Sequence, residues 1–130
     1  MKKLFYPAIF QIEKNGYFVK FPDVEGAVTE GENMENAYEM AVDALGLVLS
    51  YLKDNNRPLP LPSAPQNIKT DKDQFVVVIE FDMQDYLRKH NNKSVKKTLS
   101  IPQWLNEEAL AKNVNFSKVL QDALIAIVQN

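Results

Sequence analysis

Carboxylates and basic side chains occupy separate segments of this 130-residue chain, although its formal net charge is only -2. Residues 21–52 carry carboxylates and no lysine or arginine, whereas residues 86–106 carry lysines and arginines and no carboxylate. Segregated charges of opposite sign suit two different partners, one basic and one acidic. The competing interpretation is that both segments are solvated faces. The acidic residues are Asp23, Glu25, Glu30, Glu32, Glu35, Glu39 and Asp43, and the basic ones are Arg88, Lys89, Lys93, Lys96 and Lys97.

Residue types that carry out catalysis are sparse. The chain has no cysteine, which excludes a thiolate metal site and a disulfide framework, and it has one histidine, His90. It shows no Ser-His-Asp set, no glycine-rich phosphate loop and no metal-ligand spacing. A lone histidine near a helix end is more often a partner of the helix dipole than a catalyst. We therefore expect no enzyme, no catalytic residue, no metal and no cofactor.

The elements that position the acidic segment begin with a β-hairpin. Residues 4–12 and 17–21 are rich in aromatic and β-branched residues, and the Asn15-Gly16 pair between them predicts a tight turn. A third strand is predicted at residues 27–30.

A long helix is predicted next, with Asn33 as its N-cap and its end near residue 52. Helical spacing predicts a buried stripe on one side and an acidic ridge on another. The predicted stripe is Ala37, Ala41, Leu45, Val48 and Leu52, and the ridge is Glu35, Glu39 and Asp43.

The chain then returns through a proline-rich connector, residues 57–65, to a strand at residues 74–81. The continuous apolar run of this strand is typical of a central strand buried on both faces. Asp82 predicts the N-cap of a short helix that ends near residue 90. The resulting β-β-β-α-β-α order predicts an α+β fold with the helices on one face of the sheet. A polar stretch at residues 91–94 separates two predicted domains, residues 1–93 and 94–130.

The second predicted domain begins with an alternating strand, residues 95–101. Lys96, Thr98 and Ser100 share one face, and Leu99 and Ile101 lie on the other. Such a strand cannot fold alone, so we expect it to pair with the same strand of a second copy.

Two short helices are predicted after this strand. Pro102 suits the first turn of one helix, Asn113 suits a left-handed residue after its end, and Asn115 caps a helix over residues 116–128. The first helix directs Trp104, Leu105 and Ala109 inward. The second is apolar over a wider arc than one neighbour can cover, which also predicts a dimer. The predicted dimer core is Leu99, Ile101, Leu120, Leu124 and Ile127.

This strand-helix-helix pattern, over residues 95–128, resembles the ribbon-helix-helix family of DNA-binding proteins. The resemblance implies that the paired strands enter the major groove and read base edges through Lys96, Thr98 and Ser100. It also implies that the start of the second helix binds a backbone phosphate. The predicted phosphate contacts are Asn115, Phe116, Ser117 and Lys118. The competing interpretation is a helical hairpin that only dimerises.

The segment Phe21-Pro22-Asp23-Val24-Glu25-Gly26-Ala27-Val28-Thr29-Glu30-Gly31, followed by Asn33-Met34-Glu35-Asn36-Ala37, resembles the HicB antitoxin family. Ala27 stands where many members have cysteine, and the resemblance covers residues 4–81. It implies a partial RNase H-like domain and a HicA-type toxin partner, a small basic ribonuclease that cleaves mRNA. Carboxylates that mimic phosphates can cover such a basic surface. The predicted toxin-binding residues are Asp23, Glu25, Glu35, Glu39 and Asp43.

A degraded nuclease is a further possibility that the sequence disfavours. Two-metal hydrolysis needs several carboxylates around one point, whereas the helical carboxylates run along a ridge. Asp23, Glu80 and Asp82 are the residues that could approach one another.

We therefore expect a cytoplasmic antitoxin without a membrane segment, which binds its toxin and represses its own operon as an operator-bound homodimer. Assembly of dimers into tetramers stays open. The alternative is an orphan ribbon-helix-helix repressor whose first domain senses a small ligand.

Overall fold

The computed structural model describes residues 3–129, so the outermost residues of the two predicted domains, 1, 2 and 130, lie outside the described residues. The chain splits into two compact units, Met1–Lys93 and Ser94–Asn130. The architecture is α+β, with one antiparallel sheet of four strands and four α-helices in the described part. None of the helices within residues 3–129 is both long and apolar enough to span a membrane.

The first unit is built on a sheet whose strands are β1, Lys3–Glu13, β2, Gly16–Lys20, β3, Val28–Gly31, and β4, Gln74–Asp82. The strand order is β3-β2-β1-β4, and each neighbouring pair is antiparallel. The hairpin turn at Asn15-Gly16 is confirmed, and Gly16 adopts a positive φ of 145°. The backbone carbonyl of Gly31 occupies the space where a side chain at position 16 would project.

The prediction that the strand at residues 74–81 is central was wrong, because β4 lies at the edge of the sheet and β1 lies inside it. Phe75, Val77, Ile79 and Phe81 face the core, and Ile79 and Phe81 are fully buried there. On the other face Val78 is 41% exposed. An unbroken apolar run reports hydrophobicity on both faces, but strand order decides whether both faces are covered.

Helix α1, Met34–Asp54, packs on one face of the sheet. Its predicted N-cap is confirmed, because the Asn33 side chain accepts a hydrogen bond from the Asn36 amide at 2.8 Å. The predicted stripe is fully buried at Ala37, Ala41 and Leu45 and only partly buried beyond them. Gly46 and Leu49 are the buried residues there, whereas Val48 and Leu52 are only partly buried, because a four-residue step from Leu45 stays closer to the core face than a three-residue step.

Helix α2, Met83–His90, packs against the middle of α1. The Asp82 side chain accepts a hydrogen bond from the Asp85 amide at 3.1 Å, as expected of an N-cap. The ring of Tyr86 occupies the space where a side chain at position 46 would project, so Gly46 allows the two helices to approach closely.

The proline-rich connector is held to the sheet at two points. The Tyr6 hydroxyl donates a hydrogen bond to the Pro60 carbonyl at 2.6 Å. Asp23 accepts hydrogen bonds from the amide and the hydroxyl of Ser63, at 2.8 and 2.6 Å. The connector then forms a 3₁₀ turn, Pro65–Asn67, before the chain enters β4.

The second unit contains α3, Gln103–Ala111, and α4, Phe116–Val128. Pro102 is the N-cap of α3 and precedes its first residue, whereas the sequence placed it within the first turn. Asn113 has a φ of 57°, as predicted. Its amide donates to Leu110 and the Val114 amide to Ala109, which together form a Schellman motif.

The predicted strand at residues 95–101 is not formed within this chain, because residues 91–102 adopt neither helix nor strand. A strand is defined by the ladder it makes with a neighbour, and within residues 3–129 this segment has none. Pairing with a second copy stays a prediction.

Candidate toxin-binding and DNA-binding surfaces

The acidic ridge lies on the solvent side of α1. Glu35, Glu39 and Asp43 are all exposed, and they follow one another at intervals of four residues, close to one helical turn. Glu25 is exposed in the turn between β2 and β3. The helix is fixed from below by its buried residues, so the three ridge carboxylates are held on a rigid element and remain exposed to solvent.

Asp23 differs from the other members of the predicted toxin-binding set. Its two carboxylate oxygens accept the hydrogen bonds from Ser63, and the residue is half-buried. Burial, and in second place the negative charge of Asp23, raise the pKa of the nearby Tyr6 hydroxyl above its usual value of 10.0. Asp23 therefore has a structural task of its own, which is to hold the connector against the loop between β2 and β3.

The ridge continues as an apolar surface that the sequence reasoning missed. Leu47 and Tyr51 extend the same four-residue spacing beyond Asp43, and their side chains are 67% and 58% exposed. The sequence contained this signal, because the four-residue step that joins Glu35, Glu39 and Asp43 continues to Leu47 and Tyr51. The exposed row on α1 is thus acidic in its first half and apolar in its second.

A groove of about 310 Å³ lies between α1, α2 and the end of β4. His90 stacks on Tyr86 with 4.2 Å between ring centroids, and its Nε2 atom lies 3.8 Å from a carboxylate oxygen of Asp43. This contact joins the last residue of α2 to the middle of α1 through side chains that remain about half exposed. The single histidine is therefore packed against an aromatic ring beside the acidic ridge.

The three carboxylates considered for nuclease chemistry each have another partner. Asp23 binds Ser63, Asp82 caps α2, and Glu80 forms an ion pair with Lys3 at 2.7 Å. Glu80 raises the pKa of Lys3 through a hydrogen bond and through its charge. Across residues 3–129, no group of three or more histidine, cysteine or acidic side chains is placed to hold a metal ion.

The predicted base-contacting residues of the second unit, Lys96, Thr98 and Ser100, are all exposed in the segment that precedes α3. At the predicted phosphate site the Asn115 side chain caps α4 by accepting a hydrogen bond from the Lys118 amide at 3.1 Å. This leaves the amides of Phe116 and Ser117 directed outward at the positive end of the helix dipole. The Lys118 ammonium forms an ion pair with Asp122 at 3.2 Å.

The second unit leaves its apolar side chains uncovered. Between residues 94 and 129 no residue is fully buried, and Leu120 is the most covered member of the predicted dimer core. Trp104, predicted to point inward, is 62% exposed. The other predicted core residues are exposed by 63% at Leu99, 47% at Ile101, 49% at Leu124 and 67% at Ile127.

Comparison with known proteins identifies the family of the first unit. A family model described as "HicB_like antitoxin of bacterial toxin-antitoxin system" matches residues 5–86. Antitoxin HicB 1 of Photorhabdus laumondii subsp. laumondii is 41% identical over 63 residues, which are 48% of this chain and 41% of that protein. The chain therefore matches less than half the length of this curated relative.

Solved structures resemble a larger part of the chain. A chain of the "Toxin-Antitoxin complex from Streptococcus pneumoniae" is 28% identical, with a TM-score of 0.62, and the match covers 96% of this chain and 99% of that one. A chain of the "HicA3 and HicB3 toxin-antitoxin complex" is 22% identical, with a TM-score of 0.53, and covers 61% of this chain and 99% of that one. This second likeness concerns the fold alone.

The relatives found by sequence are named antitoxins, which are not enzymes, and this confirms the expectation that the chain is not an enzyme. The family match spans the sheet, α1 and the start of α2, which are the elements that carry the acidic ridge. The chain belongs to the family of HicB-like antitoxins of bacterial toxin–antitoxin systems.

Proposed function

We propose that this chain is the antitoxin of a type II toxin–antitoxin system in the cytoplasm. In this proposal the first unit binds and inhibits a HicA-type ribonuclease toxin, and the second unit binds operator DNA as a homodimer and represses the operon. The observation that carries the proposal is the contrast in burial between the units. The first has a closed core under an exposed acidic ridge, whereas the second has no fully buried residue in its described part.

The acidic ridge supports binding of a basic, RNA-binding partner. Its carboxylates lie in one row on a helix with a fully buried underside, so they would meet a flat basic surface without rearranging. Opposite charges across an interface raise the association rate and suppress wrong partners. A chain of a toxin-antitoxin complex from Streptococcus pneumoniae is 28% identical to this chain, which supports a toxin as the partner here.

The second unit supports dimerisation and DNA binding. Its exposed leucines, isoleucines and valines form an apolar surface on a short helical pair, and a second copy can cover such a surface. The segment at residues 95–101 is exposed and forms no helix or ladder within residues 3–129, so it is available for an intermolecular partner. The outward amides at the start of α4 are suited to a DNA phosphate.

Co-expression with the product of the adjacent reading frame, followed by pull-down, tests the toxin half of the proposal. The sharper version reverses Glu35, Glu39 and Asp43 to lysine together and measures affinity at several salt concentrations. We expect weaker binding and a smaller salt dependence, because the complementary charges are lost. The matched control reverses three exposed carboxylates away from the ridge, Glu13, Asp54 and Asp71, and changes the net charge equally.

Equal loss of affinity in both triple variants would place the toxin interface elsewhere on the unit. If the adjacent product does not bind while the chain still binds its own promoter, the orphan repressor is the better description.

A further inference from the structure

A second apolar pattern runs along α1, apart from its buried face. Met40, Ala44, Leu47 and Tyr51 follow one another at steps of four, three and four residues, which place them in one line along a helix. Met40, Leu47 and Tyr51 are exposed, and Ala44 is partly buried. We call this line the apolar seam. It extends over three helical turns, or about 17 Å at the rise of an α-helix.

The spacing of the apolar seam suits a helix as its partner. Alternating steps of four and three residues are those at which one helix packs into the side-chain rows of another. The small side chain of Ala44 stands between the larger ones of Met40 and Leu47, so a side chain of a partner helix can enter between them. Because α1 is anchored on the sheet by its buried residues, the seam would meet such a helix without rearranging.

Carboxylates border the apolar seam on one side and at one end. Glu39 and Asp43 are exposed and each precede a residue of the seam by one position, so the acidic ridge runs beside it. At the other end of this row, Met40 lines a cleft of about 650 Å³ between the start of α1, the β1–β2 turn and the end of β3. The charged residues that line this cleft are Glu13, Lys14, Glu30 and Glu32. A helix that lies on the seam therefore needs basic side chains on its flanks.

The same charges disfavour a second copy of this chain as the occupant. Residues 21–52, which contain both the ridge and the apolar seam, include no lysine or arginine. Two copies that faced each other at α1 would bring two acidic surfaces together without a compensating charge, which is unfavourable. The partner in the proposed function is a ribonuclease, and a protein that holds RNA needs a basic surface. The toxin therefore has the charge that the borders of the seam require.

We propose that the apolar seam is the docking site for a basic amphipathic helix of the toxin. This inference rests on the proposed function and divides the toxin contact into two parts. The acidic ridge attracts and orients the toxin, and the seam retains it by burying apolar surface. Leu47 and Tyr51 are the anchors, because they are the most exposed residues of the seam and lose the most contact with water on binding.

Binding kinetics of the full chain with the product of the adjacent reading frame test the proposal. Leu47→Ser together with Tyr51→Ser should raise the dissociation rate on the order of a hundredfold, because both anchors are lost. The association rate and its salt dependence should change by less than about twofold, because no charge is altered. Reversal of the ridge carboxylates should do the opposite and act mainly on the association rate. The matched control, Val28→Ser together with Leu61→Ser, removes two exposed apolar side chains outside α1 and should leave both rates unchanged.

Two further measurements separate docking from an effect on folding. Leu47→Met together with Tyr51→Phe keeps the seam apolar and should retain slow dissociation, and both double variants should keep the circular dichroism spectrum of the unchanged chain. A photoreactive benzophenone side chain at position 47 should crosslink to one segment of the adjacent product, whereas the same group at position 61 should not. Mass spectrometry should find in that segment apolar residues three and four positions apart, flanked by lysine or arginine.

The outcomes distinguish this inference from the proposed function. If the adjacent product does not bind the unchanged chain, the toxin half of the proposed function fails, and this inference fails with it. If the product binds but dissociates from the double serine variant at the unchanged rate, or if the crosslinked segment lacks the expected pattern, only the inference is overturned. A double serine variant that changes the oligomeric mass of the free chain and keeps its affinity for the product would assign the seam to self-association, which also overturns it.

Discussion

The two units of this chain bury their apolar residues in different ways. In the first unit a sheet and α1 enclose residues such as Phe10, Leu45 and Phe81, which are fully buried within one chain. In the second unit α3 and α4 have comparable apolar content, and none of the residues described there is fully buried. Similar side chains therefore serve a closed core in one unit and an open surface in the other.

The difference is explained by the number of layers that each unit can bring together. A sheet with one helix across it makes two layers, which is the minimum for a closed core. Two short helices without a third element can cover only part of each other. We infer that the stability of the first unit is a property of the single chain, whereas that of the second depends on chain concentration.

The largest expected effect breaks the core of the first unit. Leu45→Ala should lower its free energy of unfolding by about 2–5 kcal/mol, because a fully buried leucine leaves a cavity. Urea denaturation, monitored by far-ultraviolet circular dichroism, measures this loss. The urea concentration at the midpoint should not vary with protein concentration. Leu120→Ala should act on the second unit instead, with a midpoint that does vary. The same concentration dependence in both units would refute the contrast drawn between them.

Leu120→Glu should weaken the proposed dimer of the second unit by at least about a hundredfold, close to 3 kcal/mol, because it would bury an unpaired carboxylate. Sedimentation equilibrium of the full chain measures this change. The control is Leu61→Glu, at a connector side chain that is 89% exposed. If the Leu120→Glu protein keeps the dimer affinity of the unchanged chain, the dimer core has been placed wrongly.

Operator binding should depend on the second unit alone. Thr98→Ala should cost about 1–3 kcal/mol of operator-binding free energy for each base contact and relax specificity at the paired base.

Alanine at Lys96, Thr98 and Ser100 together should remove binding to the promoter and leave toxin binding intact, as measured by fluorescence anisotropy. Ser117→Ala should weaken all DNA sequences alike, because phosphate contacts carry no sequence information. Unchanged promoter affinity in the triple variant would leave this segment with a dimerising role only.

The smallest effect concerns the contact between Tyr6 and the connector. Tyr6→Phe should cost about 1 kcal/mol at neutral pH through loss of the hydrogen bond to Pro60. Because the pKa of Tyr6 is raised in the folded protein, its contribution is complete below the usual value of 10.0 and is lost as pH rises above that value. The stability difference between wild type and Tyr6→Phe should therefore shrink at alkaline pH. A difference that is constant from pH 7 to 11 would contradict this role.

Local features of the fold could be predicted from the sequence because they are decided within a few residues. The caps at Asn33, Asp82 and Asn115 depend on a side chain and an amide three residues apart, and the left-handed Asn113 depends on its own backbone preference. The hairpin at Asn15-Gly16 is of the same kind. The acidic residues of the candidate site were also found, because helical spacing alone places Glu35, Glu39 and Asp43 in one row.

Tertiary structure decided the features that depend on which elements become neighbours. Residues 75–79 read as a strand buried on both faces, yet the connector delivers β4 to the edge beside β1, where Val78 stays exposed. The sequence placed Asp23 among the toxin-binding residues, and only the path of the connector brings Ser63 to it. The sequence by itself determined the helices, their caps and the hairpin turn, since short-range backbone and side-chain contacts fix them. The strand predicted at residues 95–101 is not formed within residues 3–129, because a strand needs a neighbouring strand. Burial and partner choice required the fold, because they depend on contacts between residues far apart in the chain.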